Sequence, residues 1–454
     1  MGCLRPRGPL QGVASTSTGH QPAGVRRRVP HPAGDPRRGG PEGGRPCGAQ
    51  MVSIISVPRR LSLALLAGVL GLGAWGCGEV DASAEELLAS LPTWHLEEDL
   101  RIGREDHPDY ALGTVGGLAV ADDGRILVSQ PQERAIRVFD GDGRFLHRVG
   151  RAGEGPGEFT RLGMIGVLDD ATWAVDCGGG CFVHFFDEGG SSLDRVQTPP
   201  LEHPFIGGGS YYPLPDGGML VPSASVGDII ETAHEMPWLR SDSDGSVVDT
   251  LPGIRSPGLV MIQNQVTLPD GRTADSPVLV MPPFPACSWV GIAPDPTFLV
   301  QAKAAPGGDE GSTVVQLTRF TPDGDTVAMG ELSLPRRPIP PAVADSAMDS
   351  QVTCLSGPLG GEERARRELA GSVGVPDHYP PLRTLVVTRE GASWLALEGQ
   401  GETRWLILDP SLAPLALVDL PPRLEPLVIE QDLLWGIELD EFDVPQVVKY
   451  RVGR

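Results

Sequence analysis

Short apolar runs recur along the chain, each set behind an acidic turn. Asp123-Gly124 precedes RILVS (125–129), Asp169-Asp170 precedes TWAVD (172–176), and Asp216-Gly217 precedes MLVPS (219–223). Further on, Asp295-Pro296 precedes TFLVQ (297–301), Glu390-Gly391 precedes SWLAL (393–397), and Glu430-Gln431-Asp432 precedes LLWGI (433–437). A second apolar run follows each: IRVFD at 136–140, VHFFD at 183–187, WLRSD at 238–242, LTRFT at 317–321, RWLILD at 404–409 and VVKYRV at 447–452. Most of these meet another turn, as at Asp142-Gly143, Asp244-Gly245 and Asp323-Gly324. Acidic-glycine pairs between short apolar runs predict hairpins, because glycine supplies the positive φ that a tight turn needs. The turns recur at a period of about 45 residues, stretched by two insertions, and this period of antiparallel strands predicts a propeller. Helical spacing is nearly absent. The exception is GEERARRELA (361–370), which predicts a short, charged, solvated helix capping the ring.

The glycine-rich stretch FDGDGRFLHRVGRAGEGPGEF (139–159) raises a phosphate-loop reading. A phosphate loop must leave a strand and open a helix. Here Pro156-Gly157 is followed by no helical repeat and no Lys-Ser or Lys-Thr pair. The stretch therefore predicts a turn at Asp142-Gly143, a strand at Phe145–Val149 and an irregular connection.

Residues 109–159, with GGLAVADDGRILVSQPQERAIRVFDGDGRFLHRVG, resemble an NHL-type blade. The six units together resemble the six-bladed propellers of the NHL repeat and TolB-like group, found in many bacterial lipoproteins. The resemblance implies an all-β six-bladed β-propeller of four-stranded antiparallel blades over residues 93–454. TWHLEEDLRIG (93–103) would close it by supplying the outer strand of the last blade, and insertions at about 253–286 and 335–381 would stand on one face. The family often places Asp and Asn before the Arg-Ile of the third strand; here Gln130 and Glu133 flank that position.

The front of the chain reads differently. Residues 1–50 are rich in Arg, Pro and Gly and cannot build a core, so they predict a disordered leader or a mis-assigned start. Residues 51–76 have the form of a signal peptide: Arg59-Arg60, then the apolar Leu61–Trp75. Ala74-Trp75-Gly76-Cys77 resembles a lipobox, which implies lipidation at Cys77, a membrane tether, a linker over 77–92 and a place in the cell envelope facing the periplasm or exterior. A plain secretory signal or an uncleaved anchor is the other reading. Residues 1–76 hold ten Arg against two acids, so the remainder is more acidic than the whole-chain charge of −22. That excess excludes nucleic acid as an expected partner. Four cysteines follow Cys77, namely Cys177, Cys181, Cys287 and Cys354, and export predicts two disulfides among them. A zinc site is the weaker alternative, because the spacing offers no second close pair.

On a propeller, the long connections and the starts of the inner strands share one face. Arg161, Tyr211, Trp289 and Arg383 stand at those starts and are the candidate ligand-binding residues, the two arginines suiting a carboxylate or other anion. No catalytic constellation, cofactor or metal set is assigned. The main reading is a monomeric, membrane-tethered, non-catalytic binding or scaffold propeller for a protein or small ligand. The alternative is a metal-dependent hydrolase or lactonase, or an NHL-type lyase, with its site in the central channel. Against calcium stands a single asparagine, Asn264, lying in an insertion. Against zinc stands the scatter of His95, His107, His147, His184, His203, His234 and His378, which show no recurring ligand spacing.

Overall fold

The computed structural model describes residues 84–454 apart from 104–106, 179, 199–210, 223–234, 256–259, 268–270, 286–287, 295, 306–310 and 400–402. The leader, the signal segment and Cys77 lie outside the described residues. So do Cys287, His203 and His234.

The acidic turns do what their chemistry dictates. At Asp140–Gly143 the Asp140 carboxylate accepts the N–H groups of Asp142 at 3.0 Å and Arg144 at 2.8 Å, and Gly143 takes φ +79°. The same clasp recurs at Asp242, Asp409 and Asp440. It is the local hydrogen bonding that favours Asp in turns. Each turn returns the chain antiparallel, and four consecutive four-stranded sheets result. The first holds Gly117–Val120, Ile126–Gln130, Ala135–Phe139 and Phe145–Val149. The second holds Leu162–Leu168, Ala171–Asp176, Phe182–Phe186 and Ser192–Gln197. The third holds Tyr212–Pro213, Met219–Pro222, Glu235–Ser241 and Val247–Arg255. The fourth holds Ser288–Ile292, Leu299–Ala305, Ser312–Phe320 and Thr326–Pro335.

The remaining strands correct the expectation of six like blades. Among the described residues four separate four-stranded sheets form, not six, and the rest of the ring is one eight-stranded sheet. Strand β1 (Thr93–Ile102) lies inside it rather than finishing a sixth blade. On one side Thr93 and Trp94 pair in parallel with Leu417 and Val418. On the other, His95 to Ile102 pair antiparallel with Gly453 to Val447. The strand is ten residues long, enough for its two ends to serve different neighbours, so the last two sequence repeats merge.

Packing explains the ring. Sheet one meets sheet two through Leu127, Val138, Phe159, Ala174 and Phe186. Sheet two meets three through Trp173, Val175, Tyr211 and Val221, and three meets four through Leu220, Trp238, Leu299 and Phe320. The eight-stranded sheet packs on sheet four through Leu385, Leu395 and Leu406. Its other end packs on sheet one through Val428, Trp435 and Val447. Between these ends its two halves face each other across Trp394, Trp405, Leu434 and Tyr450. The architecture is therefore all-β and propeller-like, closed by the eight-stranded sheet.

One core residue is out of keeping with its surroundings. His184 is 0% exposed, lies edge-on to Phe159 at 5.3 Å and stacks on Phe186 at 6.3 Å. Neither ring nitrogen has a hydrogen-bond partner among the described residues. Burial holds its pKa below the ordinary histidine value, with Arg195 adding to the effect. Burial, then Arg125, depresses His147 as well. A group with a depressed folded-state pKa takes its proton first in the unfolded chain. Stability should therefore be full above pH ~6.5 and fall as the pH drops below it. Urea denaturation at pH 7.5 and 5.5 checks this. His184→Phe should keep the aromatic packing and remove its share of the loss; an unchanged pH dependence in that variant would refute the assignment.

The glycine-rich stretch is also settled. Arg151–Ala152 pairs in parallel with Glu158–Phe159, and the loop between them closes on Glu158. That carboxylate accepts the Gly155 N–H at 3.0 Å and pairs with Arg151 at 2.8 Å. Gly155's N–H first, and Arg151 second, hold its pKa down. The chain's own anion sits where a phosphate would bind.

Candidate functional site

The four candidate ligand residues do stand at the starts of first strands, but they do not act together. Asp176, 2% exposed, accepts the backbone N–H of both Thr160 and Arg161 and the Thr160 hydroxyl. This clasp fixes the entry into sheet two and leaves the Arg161 side chain exposed, with no ion pair among the described residues. Tyr211 is a core residue, 2% exposed, and burial raises its pKa. Trp289 is 8% exposed, and its indole N–H donates to the Arg383 carbonyl at 3.2 Å, tying sheet four to the eight-stranded sheet. Arg383 is itself paired with Glu398 at 3.6 Å. Of the four, only Arg161 presents an open charge.

Beside Arg161, Cys177 and Cys181 form a disulfide that clamps the loop between the second and third strands of sheet two. Cys354 lies half-buried on a helix of the second insertion. The histidines are dispersed. His95 faces Gly453 within the eight-stranded sheet, His147 sits on the outer strand of sheet one, His184 on the third strand of sheet two, and His378 forms an isolated bridge with Pro338. Among the described residues no three His, Cys, Asp or Glu side chains converge as metal ligands.

The two insertions hold what the sequence did not reveal. After α1 (Ala84–Ser90), the helices are α2 (Pro341–Leu359) and α3 (Glu362–Ser372). The charged run at 361–370 gave α3 away. Its partner α2 was missed because Ser, Asp, Thr and Gly interrupt its apolar positions and Pro358 lies within it. The first insertion supplies two small hairpins, Val260–Ile262 with Val278–Val280, and Gln265–Thr267 with Thr273–Asp275. Ile262 and Val280 pack with Val352, Leu355, Leu359, Ala365, Leu369 and Val373. Sequence-distant insertions thus build one cap with its own apolar core, where a lone solvated helix was expected. Its stems meet where Phe284 lies edge-on to Tyr379 at 5.1 Å.

In the cap wall is a cleft of about 430 Å³ lined by Gln263, Asn264, Gln265, Asp275 and Arg364. The hairpin link supplies Gln263 and Asn264, the open end of the inner hairpin supplies the paired Gln265 and Asp275, and the first turn of α3 supplies Arg364. Nothing periodic marks Gln263-Asn264-Gln265, and Asn264 stood out only as the sole asparagine. Every described wall side chain is polar, and the cleft opens widely to solvent.

Residues 105–178 match a family described as a 6-bladed beta-propeller. The match covers a minor part of the chain. No NHL, TolB or lipoprotein assignment comes with it, and strand pairing gives four separate four-stranded sheets plus one of eight. The expectation of a six-bladed NHL or TolB-like lipoprotein is corrected accordingly, to an all-β propeller-like ring. No curated protein matches.

Among solved structures, the chain is similar to a putative exported protein from Bacteroides fragilis, with 12% identity and TM-score 0.43 over 80% of this chain and 99% of that one. It is similar to virginiamycin B lyase from Staphylococcus aureus, solved with quinupristin, with 11% identity and TM-score 0.37 over 79% and 99%. It is similar to the calcium-binding protein regucalcin from Agrobacterium tumefaciens, with 11% identity and TM-score 0.35 over 80% and 97%. At these identities and TM-scores the likenesses concern the fold alone. Among the described residues, no helix is long and apolar enough to cross a membrane.

Proposed function

We propose that the chain is a propeller that handles a small polar molecule on its long-loop face, within the cap built by its two insertions. The observation that carries this reading is the cap itself: two insertions share one apolar core and wall a polar cleft of about 430 Å³. A broad flat face would suit a protein-recognising scaffold. A cleft of this size suits a small molecule, which stands nearer the hydrolase or lyase alternative than the scaffold. The Cys177–Cys181 disulfide supports work outside the reducing cytosol.

Thermal melts of the full chain against a chemically mixed library of small metabolites test the proposal. At least one compound should raise the melting temperature, by the linkage of binding to stability. The shift should disappear when Asp275 and Arg364 are both changed to Ala. A shift that survives both changes would move the site elsewhere, and no shift with any compound would remove the reading. Mass analysis of the bound compound, with and without added calcium or zinc, then separates turnover from retention.

A further inference from the structure

We infer that the cap cleft recognises a neutral polyhydroxylated molecule, an oligosaccharide; this names the ligand class of the site just proposed and rests on that proposal. Which atoms of the wall are already committed decides the class. Asn264 is 5% exposed. Its Nδ2 donates to the Pro358 carbonyl at 3.1 Å, and its backbone carbonyl accepts the Ser276 N–H at 2.8 Å. The amide is thereby held in one orientation, and its Oδ1 accepts no hydrogen bond among the described residues. This oxygen is not among the fully buried unpartnered atoms, so it meets solvent, where a hydroxyl of a ligand can take the place of water.

The neighbours extend the pattern. Gln265 Nε2 donates to Asp275 Oδ1 at 2.9 Å, which leaves Gln265 Oε1 and Asp275 Oδ2 as acceptors. The Gln263 side chain is exposed and bonded to nothing among the described residues, so it offers both a donor and an acceptor. Arg364 donates one Nη1 proton to the Leu359 carbonyl at 3.2 Å and lies 4.0 Å from Glu368, and its Nη2 donors are bonded to nothing among the described residues. The wall therefore presents several acceptors, one ambivalent amide and one donor fork.

Hydroxyl groups both donate and accept, so an array of them can satisfy all of these atoms together. An inorganic anion would meet Arg364 but would turn its lone pairs on Asn264, Gln265 and Asp275. A cation would meet Asp275 but face Arg364. A zwitterion needs an uncommitted guanidinium for its carboxylate, and Glu368 already shares the charge of Arg364. An apolar ligand would leave Asn264 unanswered.

The test is calorimetric titration of the full chain with maltotriose, cellotriose and triacetylchitotriose, with triglycine and sodium sulfate as contrasting probes. At least one trisaccharide should bind. Gln263→Ala and Asp275→Asn should each weaken it by up to about tenfold, the scale of one or two lost hydrogen bonds. Neither change threatens the fold, because Gln263 bonds to nothing described and Asn keeps an acceptor for Gln265. Trisaccharide binding unaffected by both changes, or triglycine or sulfate binding at these residues in preference, would overturn the inference. If the metabolite library shifts the melting temperature through Asp275 and Arg364 while no trisaccharide binds, the saccharide class falls and the small-molecule reading stands. If nothing binds, both fall.

Discussion

Deleting Thr93–Gly103 should leave a chain that no longer unfolds in a single cooperative step. β1 joins the two halves of the eight-stranded sheet, pairing with Leu417–Val418 on one edge and Val447–Gly453 on the other. Ile102, 2% exposed, packs with Phe139, Val428 and Trp435, while Trp94 and Leu96 pack on the cluster between the sheet's halves. Each large apolar side chain so removed forfeits about 1.5–3 kcal/mol. Together with the lost ladders, the deletion approaches the whole stability of a typical domain, about 5–15 kcal/mol. It also bares two strand edges, which invite association between copies. Urea denaturation and size-exclusion chromatography should show a shallow transition and oligomers. Ile102→Ala, a milder probe, should cost about 2–5 kcal/mol with cooperativity kept. A deleted chain that stays monomeric and unfolds at the original midpoint would show that the sheet does not depend on β1.

Glu133→Ala should be the most damaging single change at a partly exposed position. Glu133 forms a two-point ion pair with Arg137, whose side chain is only 2% exposed. Among the described residues Arg137 Nη1 has no hydrogen-bond partner, and Glu133 is the one carboxylate that meets the guanidinium. Removing Glu133 strands a buried charge, which in fully buried pairs costs about 3–5 kcal/mol. Glu133 is 37% exposed and water can reach its place, so about 2–3 kcal/mol is the expected loss. Arg137→Met, which removes the charge and keeps the stem, should cost less. The exposed pair Arg404–Asp419 is the comparison, worth under about 1 kcal/mol when Asp419 is changed to Ala. Equal losses at Glu133 and Asp419, measured by chemical denaturation, would show that burial of Arg137 does not matter.

This pair also shows how far the sequence can be read. Glu133 stood out as a departure from the pattern before Arg-Ile. Its meaning needed the structure, because only burial of Arg137 turns a loop carboxylate into a structural anchor. Strands and turns were legible because their signals are local: an Asp clasp and a glycine at positive φ act within four residues. The merging of the last two repeats was not, since it depends on where one ten-residue strand finds free hydrogen-bonding edges. The candidate ligand residues were placed correctly along their strands, yet Tyr211 and Trp289 are spent on packing and Arg383 on Glu398. Periodicity finds a strand's start and says nothing of what its side chain meets. The cleft was illegible for a related reason. Its residues come from insertions far apart in the chain, and the apolar positions of α2 that hold them together are broken up by polar residues and Pro358.

The pairing of β1 has a mechanical consequence. His95 lies opposite Gly453, so the start of that strand and the end of the chain are neighbours. Tension applied between the segment before β1 and Gly453 loads the pairs of Thr93 and Trp94 with Leu417 and Val418, and then the antiparallel pairs one after another from His95 and Gly453. The ring is thus built to be peeled open from its seam under low force, while the same pairs would resist together if the load ran along the strands.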